Sequence, residues 1–271
     1  MKVAIVGSGI AGIAAAHRLA PMADVTLFDA AGKLGGHTDS HSVYIEDKVY
    51  AVDTGFIAFN TENYPQFSSW LKEMGVPVQR TDMSFSASVP AKNLEYSTAS
   101  WSTFFSSMKL WTSPGHYRML FDMRRFCREA TKASLDNDLI SIGEYLRGAC
   151  YSQRFINLYM APFCATLWSQ SLGGALALPL QHVVSFMQYH NMLSMPEQPQ
   201  WQVISGGSSQ YLEAFEKQFL GKIRLNTPVL SVSRDVKGVV VTTATEDERY
   251  DALILACHSD QALALLKEPT E

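Results

Sequence analysis

Two short apolar runs near the amino terminus predict buried β-strands. Residues 3–6 read Val-Ala-Ile-Val and residues 25–28 read Val-Thr-Leu-Phe, the near-continuous apolar pattern of strands covered on both faces. A helix-forming stretch lies between them and ends near Ala20, just before Pro21. A strand, a helix and a second strand in this order predict a βαβ unit with parallel strands and a right-handed crossover.

The pattern changes twice further along the chain. Helical spacing and frequent aromatic residues dominate the middle, whereas apolar β-type runs return at 223–225, 229–233, 239–243 and 253–256. We therefore predict two lobes in an α/β fold. One is strand-rich and built from residues 1–59 and 203–271, and the other is an inserted, mainly helical lobe over 60–202.

Composition narrows the class of protein. The 271 residues are 47% hydrophobic and carry 22 basic against 26 acidic side chains, a net charge of −4. Nucleic-acid-binding proteins are normally strongly basic, so we expect that this protein does not bind nucleic acid. The four cysteines (Cys127, Cys150, Cys164 and Cys257) form no Cys-x-x-Cys pair. The cysteines predict buried free thiols in a reducing compartment and no metal site. The sequence shows neither a signal-like leader nor an apolar run long enough to span a bilayer, so we expect a cytoplasmic protein.

A glycine-rich turn joins the first predicted strand to the first helix. In Gly7-Ser8-Gly9-Ile10-Ala11-Gly12, the three glycines would respectively make the tight turn, admit a pyrophosphate to the backbone and let helix and strand pack closely. Asp29 closes the second strand, where its carboxylate could accept hydrogen bonds from both hydroxyls of a ribose, and Ala30 comes next. A glycine turn without a ligand is disfavoured because strand, turn, helix and acid coincide. The pattern predicts a dinucleotide site that includes all these residues.

The segment after the acid distinguishes between the possible dinucleotides. Asp29 would repel a 2′-phosphate, which disfavours NADP and leaves FAD and NAD open. A second glycine pair then comes in Lys33-Leu34-Gly35-Gly36-His37-Thr38. This segment resembles the extended fingerprint of the glutathione-reductase-type FAD fold, so the resemblance implies FAD and adds Lys33, Gly35, Gly36, His37 and Thr38 to the cofactor contacts.

Further runs extend the resemblance along nearly the whole chain. They are residues 52–60, 83–86, 94–97 and 190–207. The chain resembles the bacterial "predicted NAD/FAD-binding protein" branch of the flavin-containing amine oxidoreductase superfamily, whose more distant relatives include monoamine oxidase, protoporphyrinogen oxidase and phytoene desaturase. The resemblance implies a Rossmann-like FAD lobe in which Thr54, Gly55, Phe56 and Ile57 pass beside the flavin and the backbone of Val229 pairs with adenine.

The sequence departs from the family pattern in two respects. The family often has arginine where Lys33 and His37 stand, and neither residue offers the planar fork that matches a phosphate. Family members also run well past residue 271 and end in another glycine-rich flavin contact and a last strand. We therefore expect this chain to be a truncated product or a short variant, with an altered affinity for FAD.

A charge-free segment in the inserted lobe bears on the substrate. No Asp, Glu, Lys or Arg occurs over residues 155–196, a length of 42 positions (196 − 154). Such a segment is either core or the lining of an apolar tunnel, and we expect mostly core with one face lining a pocket. Trp168, Tyr189, His190 and Trp201 are the predicted pocket wall, although packing is the commoner role for such residues. His190 is the candidate for a catalytic proton acceptor.

A helix predicted over residues 116–133 carries a core-facing stripe of Leu120, Met123, Cys127 and Ala130. Its arginines and the aromatic residues just upstream, which include Trp101 and Trp111, allow two interpretations. A solvated basic face is the commoner one. The other is peripheral contact with an anionic membrane, which would suit an enzyme with a lipid substrate.

These patterns support three functions from different classes. The leading one is an FAD-dependent oxidoreductase that oxidises a C–N or C–C bond of an apolar, lipid-like substrate, because the FAD fingerprint is joined to a charge-free insert. Flavin would supply the difficult step, and hydride transfer needs no obligatory acid or base from the protein. The second is a non-catalytic escort protein on the same fold, as GDP dissociation inhibitors are. The third is an NAD-linked dehydrogenase, against which the Gly35-Gly36 pair speaks.

Overall fold

The computed structural model describes residues 1–136, 140–193 and 199–269, and divides the chain into two compact units. Unit 1 comprises Met1–Phe59, Tyr64–Arg80 and Gln202–Glu271, and unit 2 comprises Asn60–Asn63 and Thr81–Trp201. In this division residues 64–80, which were predicted to lie in the inserted lobe, belong to unit 1.

Strands occur mainly in unit 1. In chain order they are β1 (Lys2–Val6), β2 (Asp24–Phe28), β3 (Ser40–Ile45), β4 (Lys48–Asp53), β5 (Phe59–Asn60), β6 (Val78–Arg80), β7 (Ser86–Val89), β8 (Leu94–Ser97), β9 (Trp201–Ile204), β10 (Lys222–Arg224), β11 (Ser231–Asp235), β12 (Gly238–Thr242), β13 (Asp247–Tyr250) and β14 (Ala252–Leu255).

Helices occur mainly in unit 2. In chain order they are α1 (Ile10–Leu19), α2 (Pro65–Glu73), α3 (Trp101–Phe104), α4 (Met108–Trp111), α5 (Pro114–Asp136), α6 (Ile142–Gly148), α7 (Gln153–Phe155), α8 (Ala161–Trp168), α9 (Leu172–Leu176), α10 (Leu180–Tyr189), α11 (Gln210–Gln218) and α12 (Ser259–Leu265). A π-helical turn, Ile156–Met160, joins α7 to α8.

A four-stranded parallel sheet forms the centre of unit 1, with the strand order β10-β2-β1-β14. The register pairs Val3 with Val25 on one side and with Ala252 on the other. This confirms the predicted parallel pairing of the first two strands. Helix α1 contributes Ile13 and Ala16, both fully buried, to the core that covers this sheet. A strand from near the start of the chain and one from its last fifth therefore lie side by side in one sheet.

Residues 64–80 join unit 1 because their apolar side chains belong to its core. Trp70, Leu71 and Met74, from α2 and its C-terminal end, are buried in the same cluster as Val3 of β1. The next strand, β6, pairs antiparallel with β9. The sequence shows the helical spacing of α2, but this spacing does not specify against which lobe the apolar face of the helix packs.

Two further sheets complete unit 1. Strands β11, β12 and β13 form an antiparallel sheet, and Val241 and Tyr250 from it pack on Phe28 of β2. Strands β3 and β4 form a hairpin, whose turn residues Glu46 and Asp47 both have positive φ. The sequence pattern does not predict this hairpin.

The charge-free segment provides much of the core of unit 2, as the sequence predicts. Phe155, Met160, Cys164 and Val184 are among its fully buried members, whereas positions 194–196 lie outside the described residues. Helix α5 spans the predicted 116–133. Its most deeply buried apolar side chains are Met119, Phe126 and Ala130, so the predicted stripe is displaced around the helix. Leu120, Met123 and Cys127 are only half-buried.

One expectation for unit 2 needs correction, and one finding concerns bilayer spanning. The lobe is mainly helical and also contains the antiparallel hairpin of β7 and β8. All four cysteines are free, as predicted, but Cys150 is exposed because it lies beyond the end of α6 with a positive φ. Among the helices of the described residues, none combines the length and apolar character needed to cross a bilayer.

Candidate cofactor site

The turn between β1 and α1 has the tight geometry that its glycines allow. Gly7 has a φ of +103° and donates its N–H to the carbonyl of Phe28 at 2.8 Å. A Cβ on Gly12 would lie 1.8 Å from the carbonyl oxygen of Gly7, so only glycine lets the helix start this close to the strand. Gly7 thus lies in the tight turn, and Gly12 permits the close packing of helix and strand.

Gly9 differs from its two neighbours in the motif. Its backbone is extended (φ −65°, ψ 175°), and no atom lies within 4 Å of the position that its Cβ would occupy. The position faces a cavity that Gly7, Ser8, Gly9, Ile10 and Ala11 line together. The first N–H groups of α1 have no partner within the helix and give this end of the cavity a partial positive charge. The arrangement suits a diphosphate.

Asp29 lies at the end of β2 and lines the same cavity. Its carboxylate accepts hydrogen bonds from the backbone N–H of Ser8 (2.7 Å), the hydroxyl of Ser8 (2.5 Å) and the N–H of Ala31 (2.8 Å). A carboxylate has about four lone-pair positions. One ribose hydroxyl can therefore bind without displacing a protein donor, whereas the sequence suggested two.

The second glycine pair packs against the first glycine turn. Gly35 and Gly36 have φ values of +120° and +58°, and a Cβ on Gly36 would lie 3.0 Å from the Cα of Gly9. The N–H of Gly35 donates to the carbonyl of Ser8 at 3.0 Å. The two glycine-rich segments thus form one continuous wall of the cavity, which gives the second pair a physical role that is independent of any resemblance.

Two histidines face each other at the cavity wall. The imidazoles of His37 and His258 are stacked, with centroids 5.2 Å apart and planes inclined by 24°, and both line the cavity. Within the described ranges, neither imidazole has a hydrogen-bond partner. The carbonyl of His37 would be 1.8 Å from a Cβ on Gly55, so Gly55 is required for the close approach that positions His37. Imidazole N–H groups at this wall are donors suited to an anionic ligand.

The whole cavity is formed by unit 1 and has a volume of about 1080 Å³. Its apolar part is lined by the aromatic side chains Phe56, Tyr64, Phe67 and Tyr211. Tyr211 is buried and shares a hydrogen bond with the hydroxyl of Thr38. The lining beyond β14 consists of Ala256, Cys257, His258, Gln261, Ala264 and Leu265. The volume slightly exceeds the ~300–1,000 Å³ usual for ligand sites, as a long dinucleotide requires.

Most of the predicted cofactor contacts line this cavity. They are Gly7, Ser8, Gly9, Ile10, Ala11, Asp29, Ala30, Gly35, Gly36, His37, Thr38, Phe56 and Val229. The predicted contacts outside the lining are Gly12, Lys33, Thr54, Gly55 and Ile57. Gly12 and Gly55 are packing positions, so their role is to shape the wall rather than to touch a ligand.

Lys33 and Thr54 surround an exposed carboxylate instead of lining the cavity. The ammonium of Lys33 lies 2.7 Å from Asp39, whose other oxygen is 2.8 Å from the Nε2 of His41 and 3.2 Å from the hydroxyl of Thr54. The hydrogen bond from Lys33, together with the weaker effect of that from His41, lowers the pKa of Asp39 to about 2. Contact of Lys33 with a diphosphate stays a prediction that requires this pair to open.

Several lining residues were missed, and sheet topology is the signal that would have found them. β14 is adjacent to β1 in a parallel sheet, so the turns beyond the two strands meet at one edge. The carbonyl of Ala256 would be only 2.6 Å from a Cβ on Gly7. His258, two residues further on, enters the cavity for this reason.

The predicted substrate residues form an aromatic cluster within unit 2. Phe186 links them, because its ring lies 5.1 Å from Trp168 and is stacked on His190 at 4.2 Å. His190 in turn lies 5.1 Å from Tyr189 and 6.1 Å from Trp201. Burial lowers the pKa of His190, which favours a neutral imidazole. The structure thus brings the four residues together, and none of them lines the cavity of unit 1.

The parallel sheet, the glycine turn at its edge and the acid at the end of the second strand define a dinucleotide-binding protein of the Rossmann type. The profile of the family described as "Flavin containing amine oxidoreductase" matches residues 10–271. The chain therefore belongs to this family, which confirms the predicted family, the Rossmann-like FAD-binding fold and FAD as the cofactor.

Solved structures show the same fold at low sequence identity. Cyclohexylamine oxidase from Brevibacterium oxydans has a TM-score of 0.73 and 16% identity, over 98% of this chain and 59% of that chain. A double mutant of putrescine oxidase has a TM-score of 0.69 and 18% identity, over 100% and 61%. A CLA-producing fatty acid isomerase from P. acnes has a TM-score of 0.64 and 16% identity, over 98% and 61%. The chain spans less than two thirds of the length of these proteins.

The described residues fit the pyrophosphate and ribose of FAD. The open space beside Gly9 is a cradle that any Cβ would enter, and it lies at the amino end of α1. Asp29 keeps one acceptor position for a ribose hydroxyl, and the His37–His258 pair provides further donors at the wall. The site thus offers hydrogen-bond donors to the phosphates and an acceptor to the ribose, which is the combination that a dinucleotide requires.

Proposed function

We propose that the protein is an FAD-dependent oxidoreductase that oxidises a C–N or C–C bond of an apolar, lipid-like substrate by hydride transfer to the flavin N5. The observation that carries this proposal is the single cavity wall formed by the glycine turn, Asp29 and the Gly35-Gly36 pair. Bound FAD supplies the two-electron acceptor, and the protein supplies binding, orientation and exclusion of water.

The chain's own residues have distinct roles in holding this cofactor. The backbone amides from Gly9 to Ala11 would donate to the diphosphate, and Asp29 would accept from a ribose hydroxyl. The backbone of Val229, which lines the cavity, is the proposed contact for adenine. His37 and His258 would add donors to the anionic part of the ligand.

The chemical character of unit 2 supports an apolar substrate. Its core is built largely from the charge-free segment, and Trp168, Tyr189, His190 and Trp201 form an aromatic cluster around the half-buried Phe186. The names of the similar structures include oxidases of amines and an isomerase of a fatty acid. A pocket lined by such uncharged side chains would favour the hydrocarbon part of either class of molecule.

His190 is the proposed proton acceptor in this cluster. Its ring lies between Phe186 and Trp201, and its Nδ1 is 3.2 Å from the carbonyl of Phe186. Burial lowers its pKa, so the imidazole is neutral near pH 7 and can take a proton from an amine. Hydride transfer from a C–C bond would not require this proton acceptor.

Anaerobic spectroscopy of the FAD-loaded protein tests the proposal. The flavin absorbance is monitored while aliphatic amines, cyclic amines and unsaturated fatty acids are added in turn. Bleaching by one class identifies the bond that is oxidised, and replacement of His190 by Gln is expected to slow bleaching by amines more than bleaching by fatty acids. A loaded flavin that no member of either class bleaches would instead indicate the escort function.

The same experiment separates the proposal from an NAD-linked dehydrogenase. Turnover that requires added nicotinamide and proceeds in protein without flavin would contradict the proposed function. The Gly9→Leu variant is the matched control for dependence on bound FAD. A side chain at this position enters the cavity and leaves unit 2 unchanged.

A further inference from the structure

Unit 2 carries a group of exposed aromatic side chains that share one buried neighbour. Trp111 is stacked on Phe105 at 4.5 Å, Tyr117 lies 5.0 Å from it, and Trp101 is stacked on it at 6.2 Å. Phe105 is itself buried, whereas Trp101 is 58% exposed. The three outer rings therefore form one contiguous surface above Phe105.

Helix α5 extends this surface with two aromatic positions followed by two basic ones. Tyr117, Phe121, Arg124 and Arg128 are exposed and have a 4-3-4 spacing, which places them on one face of the helix. The guanidinium of Arg124 lies over the ring of Trp101 at 5.7 Å, so the face of α5 is continuous with the aromatic group. We call Trp101, Trp111, Tyr117 and Phe121, together with the cations around them, the aromatic–basic patch.

The patch carries more basic than acidic side chains. Residues 100–129 contain the five basic side chains Lys109, Arg118, Arg124, Arg125 and Arg128 and two acids, Asp122 and Glu129. Asp122 is buried, where it pairs with Arg118 at 3.2 Å and accepts from the N–H of Ser152. Arg125 points elsewhere, to Glu129 and the carbonyl of Ala149. In the part of the chain that the structure describes, Lys109, Arg124 and Arg128 form no ion pair.

We infer that the aromatic–basic patch docks unit 2 on a bilayer that contains anionic phospholipid. Large apolar side chains bordered by cations are the chemistry of an interfacial site, since Trp and Tyr rings are stable at the headgroup level and Lys and Arg are attracted to anionic lipid. Met108, next to Lys109, is 78% exposed and adds a further apolar side chain to this surface. Exposed rings and unpaired cations on consecutive helices thus match a negatively charged, apolar surface in both respects.

The inference is independent of the redox reaction and is tested on the full chain. Co-sedimentation is measured with phosphatidylcholine vesicles and with vesicles in which about one third of the lipid is phosphatidylglycerol. Binding is expected only with the anionic vesicles, and it is expected to fall as NaCl rises from about 50 to about 500 mM. Each cation near the surface contributes a factor of about five, so the K109E/R124E variant is expected to bind at least ~25-fold more weakly.

Two controls distinguish the patch from general charge or stickiness. Lys237→Glu changes the charge of an exposed turn in unit 1, and Tyr44→Ser removes an exposed ring there, and both variants are expected to bind like the unaltered protein. Circular dichroism verifies that all variants are folded. Quenching of tryptophan fluorescence by brominated lipid is expected to fall strongly when Trp101 and Trp111 are replaced by Phe, while sedimentation is retained.

Three results would overturn the inference. One is absence of binding to anionic vesicles, which would leave an acidic protein as the partner of the patch. Another is equal binding of the K109E/R124E variant and the unaltered protein. The third is quenching that persists without Trp101 and Trp111, because it would place the contact on another surface.

Discussion

Gly9 and Gly12 belong to one motif, but the structure predicts opposite consequences for their substitution. Gly9 has an extended backbone that any residue can adopt, and the space beside it is open. Gly12 has no space, because a Cβ would lie 1.8 Å from the carbonyl oxygen of Gly7. We therefore expect Gly9→Leu to affect the cofactor and Gly12→Ala to affect the fold.

The magnitudes are set by these contacts. Leucine at position 9 fills the cradle and separates a diphosphate from the amides of α1. Loss of two hydrogen bonds to a charged group costs about 3–6 kcal/mol, which is ~100-fold or more in the Kd for FAD. Alanine at position 12 forces helix and strand apart, and overpacking of this kind costs about 1–3 kcal/mol. The melting temperature of the Gly12→Ala variant is then expected to fall by roughly 2–12 °C.

Two measurements on the same samples check this prediction. Thermal unfolding of the cofactor-free protein reports stability, and quenching of flavin fluorescence reports the Kd for FAD. The Gly9→Ala variant is the intermediate case, with unchanged melting and a smaller loss of affinity. Equal FAD affinity of the Gly9→Leu variant and the unaltered protein would refute the assignment of the cradle, and an unchanged melting temperature for Gly12→Ala would refute the packing argument.

Three further predictions concern single side chains of unit 1. Asp53→Ala removes the acceptor for the N–H (2.9 Å) and hydroxyl (3.0 Å) of Ser208, so urea unfolding is expected to show a loss of about 1–3 kcal/mol, whereas Asp82→Ala, at an exposed site, is expected to show none. His258→Ala removes a donor from the cavity wall and is expected to raise the Kd for FAD ~10-fold by fluorescence titration, with His41→Ala as the control outside the wall. The lowered pKa of Asp39, about 2, means that its ionised form stabilises the folded state above the unfolded pKa of about 3.9 and that this contribution disappears as the pH falls through 2. The melting difference between the unaltered protein and Asp39→Asn is expected to vanish over that interval, and a constant difference would contradict the ion pair.

The strands of the parallel sheet were predictable because buried parallel strands are short, continuous apolar runs. Residues 3–6, 25–28, 223–225 and 253–256 all match strands to within a residue. The β3–β4 hairpin escaped notice because it is exposed on both faces and its apolar residues produce no burial pattern. Its turn, Glu46-Asp47, also lacks the glycine that usually marks such a connection.

The first half of the cofactor site was predictable for a similar reason. Glycine at three fixed positions and an acid at the end of the next strand are local signals, and these residues lie together at one cavity or in its packing. His258 and Tyr211 could not be found in this way, because each reaches the cavity through a tertiary contact with a distant segment. Lys33 is the opposite case, because the motif predicts a contact with the cofactor whereas the ammonium group forms an ion pair with Asp39.

The pairing of β1 with β14 has a consequence for the order of events during synthesis. Val3 is paired with Ala252, and the wall of the cavity combines the turn after β1 with the segment Ala256–Leu265. A ribosome-bound chain that lacks β14 has the glycine turn but not the strand beside it. Because domains fold as units and the pairing is highly non-local, flavin capture is expected only after residue 265 has left the exit tunnel.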